Sequence, residues 1–170
     1  CKIVTFGIDC DCDFRASSIK NHGSSIDFVI NGDKNLNFEI PGIHNVYNAL
    51  AAIAATSIFQ IDFNLVSKAL SDFKLPPKRM NLINCGDITI IDDTYNSNPL
   101  SASGAVETLS NFKAEGKKIF IFGDMLELGK AAGKFHCEIG KVIAGSVVDA
   151  LIAVGPLSRI PFESAKKEGM

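Results

Sequence analysis

The chain has 170 residues, of which 46% are hydrophobic and 21% are charged, a composition typical of a globular protein that buries a core. Its formal net charge of −2 argues against an unspecific nucleic-acid binder, since such proteins carry a basic stripe. The longest nearly uncharged apolar stretch, residues 49–59, is too short to cross a bilayer, so we expect no membrane insertion.

The first residues, Cys1 to Phe6, resemble the middle of a strand and show neither an initiator methionine nor a signal peptide. We therefore interpret the chain as a piece of a longer protein. Its five cysteines are scattered and odd in number, which favours reduced thiols over a disulfide framework. Residues 9–13 read Asp-Cys-Asp-Cys-Asp, but zinc sites favour C-x2-C spacing and a second ligand pair. We predict a solvated loop there and no metal site.

Three short strands are predicted before a helical region, at Lys2–Gly7, Ser25–Ile30 and Leu36–Ile40. The Asn-Gly pair at residues 31–32 predicts that the last two strands form an antiparallel hairpin or meander. One helix is predicted from Asn45, and a second one follows Asp62, which would be its N-cap.

Residues 75–78, Leu-Pro-Pro-Lys, are the best candidate for a linker, because two prolines cannot continue a helix. Beyond it the pattern predicts a hairpin and then helices alternating with strands, with elements at 80–84, 88–91, 99–113, 117–122, 134–145 and 150–154. Such alternation is typical of a parallel sheet with right-handed crossovers. We therefore predict an α/β fold in two domains, residues 1–76 and 77–170, the second with a mostly parallel, incomplete sheet.

Polar side chains follow the strand predicted at residues 87–91, which we expect to be buried. The strand end carries four closely spaced candidates for ligand binding, Asp92, Asp93, Tyr95 and Asn96. Asn98 and Pro99 have a structural explanation as the N-cap and first residue of a helix. Residues 122–129, Phe-Gly-Asp-Met-Leu-Glu-Leu-Gly, follow the next strand. If the strands are parallel, both groups lie at one edge of the sheet, where α/β proteins commonly bind ligands.

Two further groups have both a binding and a structural interpretation. Asn45 and Asn48 share one face of the predicted helix, and carboxamides suit the edge of an adenine, although Asn45 could simply cap the helix. Arg79 is suited to binding a phosphate, but a solvated basic pair with Lys78 is the commoner arrangement. Spacing alone favours the structural interpretation of both groups.

Two common nucleotide-binding motifs are absent from the sequence. It contains no G-x-G-x-x-G, which disfavours an NAD-dependent dehydrogenase domain, and no G-x-x-x-x-G-K-[ST]. Residues 129–134 contain glycine and lysine, but Phe135 stands where a hydroxyl would be needed to bind Mg²⁺. If the chain takes part in ATP chemistry, the phosphate-binding loop lies elsewhere.

Three stretches together resemble the Mur ligases of bacterial cell-wall synthesis. "PGIHNVYNALAAIAA" is similar to the family's G-x-H-N-x-x-N-A-L-A-A helix, and "DDTYNSNPLS" to its D-D-S-Y-N-A-N-P-D-S pattern. "FGDMLELG", followed by His136 and "EIG", is similar to the pattern G-D-M-x-E-L-G…H-x-x-I-G. The motifs occur in the right order across residues 41–140. The tyrosine in the second motif resembles the members that add D-alanyl-D-alanine, because other Mur ligases carry a lysine there.

The resemblance implies a three-domain enzyme, of which this chain supplies the end of the central ATPase domain and most of a Rossmann-like C-terminal domain. The complete enzyme would use ATP and Mg²⁺ to convert the carboxylate of a UDP-N-acetylmuramoyl-tripeptide into an acyl phosphate. The amine of D-alanyl-D-alanine would then attack it to form an amide. We accordingly expect a cytoplasmic bacterial ligase that is monomeric and acts on small molecules.

Site residues follow from the same motifs. The resemblance implies nucleotide binding by His44, Asn45, Asn48, Arg79 and Asp93. It implies binding on the side of the dipeptide by Tyr95, Asn96, Asn98, Glu127 and His136. The family's phosphate loop, metal ligands and modified lysine would all precede Cys1. No catalytic residue or metal ligand is therefore assigned here, and we expect no ATP turnover by this chain alone.

The sequence departs from the family pattern at three positions. Lys78 stands where a glycine usually precedes the arginine after the linker, and Ser97 and Leu100 replace an alanine and an aspartate. Two alternatives therefore stay open. One is another Mur ligase, or a ligase similar to folylpolyglutamate synthetase, that adds a different amine. The other is a non-catalytic nucleotide-binding module.

Overall fold

The computed structural model describes residues 3–170, and the chain divides into two compact units, one ending at Leu75 and the other beginning at Pro76. The predicted strand at Lys2–Gly7 begins outside the described residues, and its described part is a strand only from Phe6, continuing to Ile8. Among the described residues, no helix combines the length and the apolar character that crossing a membrane requires.

The first unit contains a four-stranded sheet and two helices. Its elements are β1 (Phe6–Ile8), β2 (Phe14–Asn21), β3 (Ile26–Ile30), β4 (Lys34–Phe38), α1 (His44–Ile58) and α2 (Phe63–Ser71). The strands lie in chain order, with β1 parallel to β2 and the other pairs antiparallel. Asp62 caps α2 as predicted, because its carboxylate accepts a hydrogen bond from the backbone N–H of Asn64 at 2.9 Å.

The predicted hairpin of β3 and β4 is confirmed. Asn31 and Gly32 between the strands have φ values of 51° and 86°, in the left-handed region that asparagine and glycine adopt most easily. Alternate residues of each strand point into the core, as the two-residue period of a strand requires. The core combines these side chains with one face of α1 and includes Ile26, Phe28, Ile30, Leu36, Phe38, Val46, Leu50 and Ile53.

Sequence-based prediction misses β2, although this strand pairs with both β1 and β3. Its sequence, FRASSIKN, is poor in the β-branched and aromatic residues that favour strands. Its register with β3 also shifts between Ser17 and Lys20, and Ser18 between them has a φ of 53°. A bulge of this kind breaks the alternation by which a strand is recognised in a sequence.

The second unit contains a hairpin, a pair of parallel strands and three α-helices. Its elements are β5 (Asn81–Cys85), β6 (Ile88–Asp92), α3 (Pro99–Asn111), β7 (Ile119–Gly123), a short 3₁₀ helix (Gly129–Ala131), α4 (Ala132–Ala144), β8 (Ala150–Val154) and α5 (Arg159–Lys167). β7 and β8 pair in parallel, with Phe122 opposite Ala153. The predicted α/β fold and the parallel pairing of these strands are confirmed.

β6 pairs with β5 and belongs to a different sheet from β7, so the prediction that β6 shares one parallel sheet with β7 is wrong. The two-residue turn between β5 and β6 explains the local pairing. Gly86 is its first residue and has a φ of 60°, as in the type II′ turns that close tight hairpins. The prediction that β6 is buried is also wrong, because Ile88 and Ile90 are 64% and 45% exposed. A two-stranded sheet covers neither of its own faces.

Prediction also misses α5, which contains Pro161 in its first turn. A proline is tolerated there because the backbone N–H groups of the first turn have no partner within the helix. α5 packs closely on α4 at Gly140, where an added Cβ would lie 2.5 Å from the carbonyl oxygen of Pro161. The core of this unit includes Ala102, Val106, Phe122, Met125, Ile139 and Ile143.

Candidate functional site

At the start of α1, the imidazole ring of His44 lies directly beside the backbone of Gly42. An added Cβ on Gly42 would lie 2.5 Å from Cε1 and 2.9 Å from Nδ1 of that ring. Gly42 also has a φ of 93°, which residues with a Cβ rarely adopt. Glycine is therefore needed here both for the backbone conformation and to make room for the ring. His44 itself is half-buried.

Asn45 does not cap α1, because the N-cap is Ile43 and no side chain caps the helix. The capping explanation is therefore wrong. Asn45 is only 4% exposed, and its amide donates a hydrogen bond to the carbonyl oxygen of Pro41 at 2.8 Å. Its side-chain oxygen accepts a hydrogen bond from the amide of Asn48 at 2.9 Å. Asn45 thus joins the loop before α1 to Asn48, and Asn48 is the exposed member of the pair.

In the second unit, hydrogen bonds join the end of the linker to the turn after β6. The backbone N–H of Tyr95 donates to the carbonyl oxygen of Lys78 at 3.0 Å. The backbone N–H of Met80 donates to Oδ1 of Asp93 at 3.2 Å. Between these two links in sequence, the guanidinium carbon of Arg79 lies 4.2 Å from the centroid of the Tyr95 ring, a cation–π contact. The structure therefore brings Arg79, Asp93 and Tyr95 together.

Lys78 has a φ of 65°, in the left-handed region that favours glycine. This is the position at which the family pattern usually has glycine. Met80, two residues later, has a φ of 49° and is buried. The chain therefore enters the second unit through two residues in a conformation that costs free energy for any residue with a Cβ.

The predicted N-cap at Asn98 is confirmed by a reciprocal pair of hydrogen bonds. The side-chain oxygen of Asn98 accepts from the backbone N–H of Ser101 at 2.9 Å, and the Ser101 hydroxyl accepts from the backbone N–H of Asn98 at 3.0 Å. Asn96 is exposed, and its side-chain oxygen accepts a hydrogen bond from the backbone N–H of Ser97 at 2.8 Å. Tyr95 is 63% exposed. Tyr95 and Asn96 are thus both accessible in this turn.

The loop after β7 is held by Asp124, which the sequence places in the polar stretch after this strand but to which no role was assigned. Its Oδ1 accepts two hydrogen bonds from Ser158, one from the backbone N–H and one from the hydroxyl, each 2.7 Å long. Gly155 makes room for the carboxylate, since an added Cβ there would lie 2.6 Å from Oδ1. Burial raises the pKa of Asp124, but the hydrogen bonds from Ser158 and Leu157 together lower it by more than burial raises it. The pKa therefore lies below its ordinary value. The ionised carboxylate of Asp124 therefore links the end of β7 to the start of α5 through these hydrogen bonds.

His136 is fully buried in α4, and both of its ring nitrogens are engaged. Nε2 lies 3.0 Å from the backbone nitrogen of Met125, and Nδ1 lies 2.8 Å from the carbonyl oxygen of Ala132. Since a backbone N–H can only donate, Nε2 accepts and carries no proton, while Nδ1–H donates to Ala132. His136 is therefore neutral and holds the loop after β7 at Met125. In this arrangement it offers no ring nitrogen to a ligand.

Glu127 lies on the outer side of the same loop, where it is exposed and has a φ of 62°. It can be reached by a ligand, unlike His136. The sequence places Asp124 inside the motif "FGDMLELG", but its structural role was not predicted. Its partner Ser158 is 34 residues away and stands in no recognised pattern, so no signal in the sequence pairs the two.

In each unit taken by itself, these groups have the chemistry to bind a small polar ligand. Carboxamides, a guanidinium and an aromatic ring can bind an adenine, a phosphate or a peptide carboxylate. Among residues 3–170, no group of three or more His, Cys, Asp or Glu side chains is arranged to hold a metal ion.

Comparison with known proteins adds independent evidence. The sequence profile described as "Mur ligase, glutamate ligase domain" matches residues 78–168. The profile described as "Mur ligase middle domain" matches residues 1–56. The two matches lie in the two units of the structure.

Two curated relatives match almost the whole chain, and both are named UDP-N-acetylmuramoyl-tripeptide–D-alanyl-D-alanine ligase. The protein from Bacillus subtilis (strain 168) is 36% identical over 169 residues, which cover 98% of this chain and 37% of the relative. The protein from Buchnera aphidicola subsp. Baizongia pistaciae (strain Bp) is 34% identical over 170 residues, which cover 98% of this chain and 36% of the relative. The chain thus spans little more than a third of the length of these relatives.

A crystal structure of MurF from Acinetobacter baumannii has a similar fold. It matches with a TM-score of 0.90 and 30% sequence identity. The match covers 98% of this chain and 36% of that one. The match therefore includes residues of both units.

Proposed function

This chain belongs to the Mur ligase family, and on that premise we propose that the complete protein is an ATP-dependent ligase that joins D-alanyl-D-alanine to a UDP-N-acetylmuramoyl-tripeptide in peptidoglycan synthesis. The observation that carries the proposal is the 36% identity, across 98% of this chain, to a Bacillus subtilis ligase of that name. Because the chain spans 37% of that relative, the activity is proposed for the complete protein and not for these residues alone.

We assign residues 1–76 to the end of the central ATP-binding domain and residues 77–170 to the Rossmann-like C-terminal domain. In the proposed reaction the tripeptide carboxylate receives the γ-phosphoryl group of ATP. The dipeptide amine then displaces phosphate, and an amide bond forms. Mg²⁺ would be held by residues outside this chain. Since both ATP and the UDP-linked substrate are cytoplasmic metabolites, we place the ligase in the cytoplasm, acting as a monomer.

On the nucleotide side, we assign direct contact with the adenine to His44 and Asn48. Asn48 is exposed, while Asn45 is buried and hydrogen-bonded to both Pro41 and Asn48. Asn45 therefore acts by positioning Asn48. A carboxamide can donate to and accept from an adenine edge at once, which is why this residue type suits the task.

Arg79 and Asp93 are assigned to the phosphate and ribose side of the nucleotide. A guanidinium can pair with two phosphate oxygens at once, and Arg79 is exposed. Asp93 is half-buried, and its carboxylate accepts a hydrogen bond from the backbone N–H of Met80, the residue after Arg79, which fixes the orientation of the carboxylate.

On the dipeptide side, we assign contact to the exposed residues Tyr95, Asn96 and Glu127. Asn98 uses its side-chain oxygen to cap α3, so it acts by fixing the start of this helix at Pro99, three residues after Asn96. His136 is buried and acts by holding the backbone of Met125, two residues before Glu127. This assignment gives His136 a positioning role instead of direct contact with the dipeptide.

The test is a phosphate-release assay on the complete protein with ATP, Mg²⁺ and the UDP-linked tripeptide. We expect release that depends on added D-alanyl-D-alanine and is not supported by L-alanine. Phosphate release with another amine in place of the dipeptide would indicate that the protein is a different ligase of the family. If no phosphate is released with any amine, the remaining interpretation is that the protein is a non-catalytic nucleotide-binding module.

A pair of asparagine variants tests the assigned site within the same assay. Asn96→Ala removes an exposed carboxamide from the β6 turn, and we expect it to raise the KM for the dipeptide by about tenfold, the loss of a hydrogen bond to a charged group. Asn111→Ala is the matched control, since Asn111 is also exposed but lies at the far end of α3. Equal KM values for the dipeptide in the two variants would show that Asn96 does not contribute to the dipeptide site.

A further inference from the structure

The loop between β1 and β2 places two thiols side by side. The Sγ atoms of Cys10 and Cys12 are 3.1 Å apart, which is about 1 Å more than the length of a disulfide bond. Cys10 is exposed, and Cys12 is half-buried. Neither residue has a part in the proposed ligase reaction, so their proximity calls for a separate explanation.

The fold makes room for this pair. An added Cβ on Gly7 would lie 2.5 Å from Sγ of Cys10, so the absence of a side chain in β1 creates the space for that sulfur. The Cys10 thiol donates to the sulfur of Cys12, and the Cys12 thiol donates to the carbonyl oxygen of Phe14 at 3.4 Å. The loop bends from Asp9, which has a φ of 48°.

We propose that Cys10 and Cys12 form a dithiol site that exchanges with small disulfides and closes to an intraloop disulfide. In the first step the Cys10 thiolate attacks a small disulfide RS–SR, forms a mixed disulfide and releases one RS⁻. The Cys12 thiolate then attacks Sγ of Cys10 and releases the second RS⁻. The two protein thiols lose two electrons and two protons, and the small disulfide is reduced to two RSH.

Exposure determines the order of the two steps. Cys10 reacts first because its thiol is open to solvent, whereas Cys12 is half-buried. Burial and the adjacent Cys10 also raise the pKa of the Cys12 thiol, so less of it is thiolate at neutral pH. The second step is fast in spite of this, because the attacking sulfur is already held beside its target. A disulfide across so short a loop is strained and therefore readily reduced, which makes the site reversible.

The charges around the loop indicate which small disulfides react. Asp9, Asp11 and Asp13 are all exposed and flank the two cysteines, and Arg15 offsets only part of this negative charge. Anionic disulfides are repelled at such a site, while cationic ones are attracted. The ligand class is therefore a small cationic or neutral disulfide.

The test treats the reduced complete protein with cystamine, a small dicationic disulfide, and analyses tryptic peptides by mass spectrometry without reduction. Cleavage after Lys2 and Arg15 gives a peptide that contains Cys10 and Cys12 and no other cysteine. We expect this peptide to become lighter by two hydrogens and to carry no cystamine adduct. Cys85 is exposed and serves as the internal reference, on which we expect a simple mixed disulfide.

The variant Cys12→Ser separates the two steps. In this variant the reaction with cystamine should stop at the mixed disulfide on Cys10, because the thiol that would displace the second RS⁻ is absent. A stable adduct on Cys10 in the unmodified protein, or a reaction of the pair no faster than that of Cys85, would overturn the proposal.

Comparison of two reagents tests the ligand class. Oxidised glutathione is anionic, so we expect it to react more slowly than cystamine at low salt, with the difference shrinking as salt screens the carboxylates. The ratio of the two rates at Cys85 serves as the reference for their intrinsic reactivity. The same ratio at the pair and at Cys85 would contradict the assigned class.

Discussion

The guanidinium of Arg79 lies 4.2 Å from the centre of the Tyr95 ring, so the side chain assigned to the nucleotide rests on one assigned to the dipeptide. Hydrogen bonds on either side of Arg79 in sequence hold the two segments together, from Tyr95 to Lys78 and from Met80 to Asp93. The contact links the two halves of the proposed site, because a change in either side chain removes a partner of the other.

Replacement of Tyr95 tests this link. Tyr95→Ala removes the ring beneath Arg79, and we expect the KM for ATP of the complete protein to rise about 2- to 5-fold, which corresponds to an exposed cation–π contact of ~0.5–1 kcal/mol. Tyr95→Phe keeps the ring and should leave that KM within about twofold of the unmodified value. An unchanged KM for ATP in Tyr95→Ala would show that the contact has no bearing on nucleotide binding.

The backbone conformation of Lys78 gives a prediction about stability. Its φ of 65° is strained for a residue with a Cβ, and the side chain is exposed. Lys78→Gly relieves this strain but adds entropy to the unfolded chain, so we expect a net stabilisation of about 0.5–1 kcal/mol. Calorimetric unfolding of the complete protein measures the change as an increase in the melting temperature of the domain that contains this residue.

Lys113→Gly is the matched control for that substitution. Lys113 is exposed and does not have a positive φ, so glycine there gains nothing in the folded state and should lower the melting temperature slightly. If both variants shift the melting temperature downward, the conformation at Lys78 is not strained as argued.

Alanine substitutions at Gly42 and Gly32 distinguish the effect of backbone strain from that of a steric clash. Both have positive φ values, of 93° and 86°, so alanine at either position should cost about 1–2 kcal/mol from strain alone. Only at Gly42 would the added Cβ strike another group, the ring of His44 at 2.5 Å, whereas nothing lies within 4 Å at Gly32. Gly42→Ala should therefore also displace His44 and raise the KM for ATP, while Gly32→Ala should leave it unchanged. Equal effects of the two variants on KM would argue against a role for His44.

Asp124 makes stability depend on pH in the acidic range. Its pKa in the folded protein lies below the ordinary value of 3.8, because the hydrogen bonds from Ser158 favour the carboxylate. The stabilisation from this group is therefore fully present above pH 3.8 and is lost as the pH falls through that value towards the folded-state pKa. Asp124→Asn keeps the shape and one acceptor oxygen but does not titrate.

Urea unfolding at a series of pH values from about 6 down to about 3 measures this dependence. We expect the unmodified protein to lose more stability over the acidic part of the series than Asp124→Asn does. Ser158→Ala, which removes one of the two hydrogen bonds to Oδ1, should give an intermediate slope. Parallel curves for all three proteins would show that the Asp124–Ser158 contact does not lower the pKa of Asp124.

The sequence predicts those parts of the fold that depend on local patterns. The hairpin at Asn31-Gly32, the cap at Asp62 and the cap at Asn98 each follow from a few adjacent residues, and the structure confirms all three. The parallel pairing of β7 and β8 follows from the alternation of strands with helices. In these cases the local preference and the global fold agree.

The elements that sequence reasoning misses are those in which tertiary contacts override local preference. β2 is polar and bulged but is held between two neighbouring strands, and α5 tolerates Pro161 because the proline falls in its first turn. The contact of Asp124 with Ser158 joins residues that are far apart in the chain, so no spacing rule could reveal it. The cation–π contact of Arg79 with Tyr95 was likewise not predicted from the sequence, because it depends on the path of the chain at the start of the second unit.

The identity of the ligation product tests the central claim most directly. The complete protein would be incubated with ATP, Mg²⁺, the UDP-linked tripeptide and an equimolar mixture of D-alanyl-D-alanine, L-alanine and D-glutamate, and the product would be analysed by mass spectrometry. The account predicts a UDP-linked pentapeptide whose mass has increased by one D-alanyl-D-alanine less water, formed only when ATP is present. A product extended by a single amino acid, or a substrate left unchanged, would contradict it.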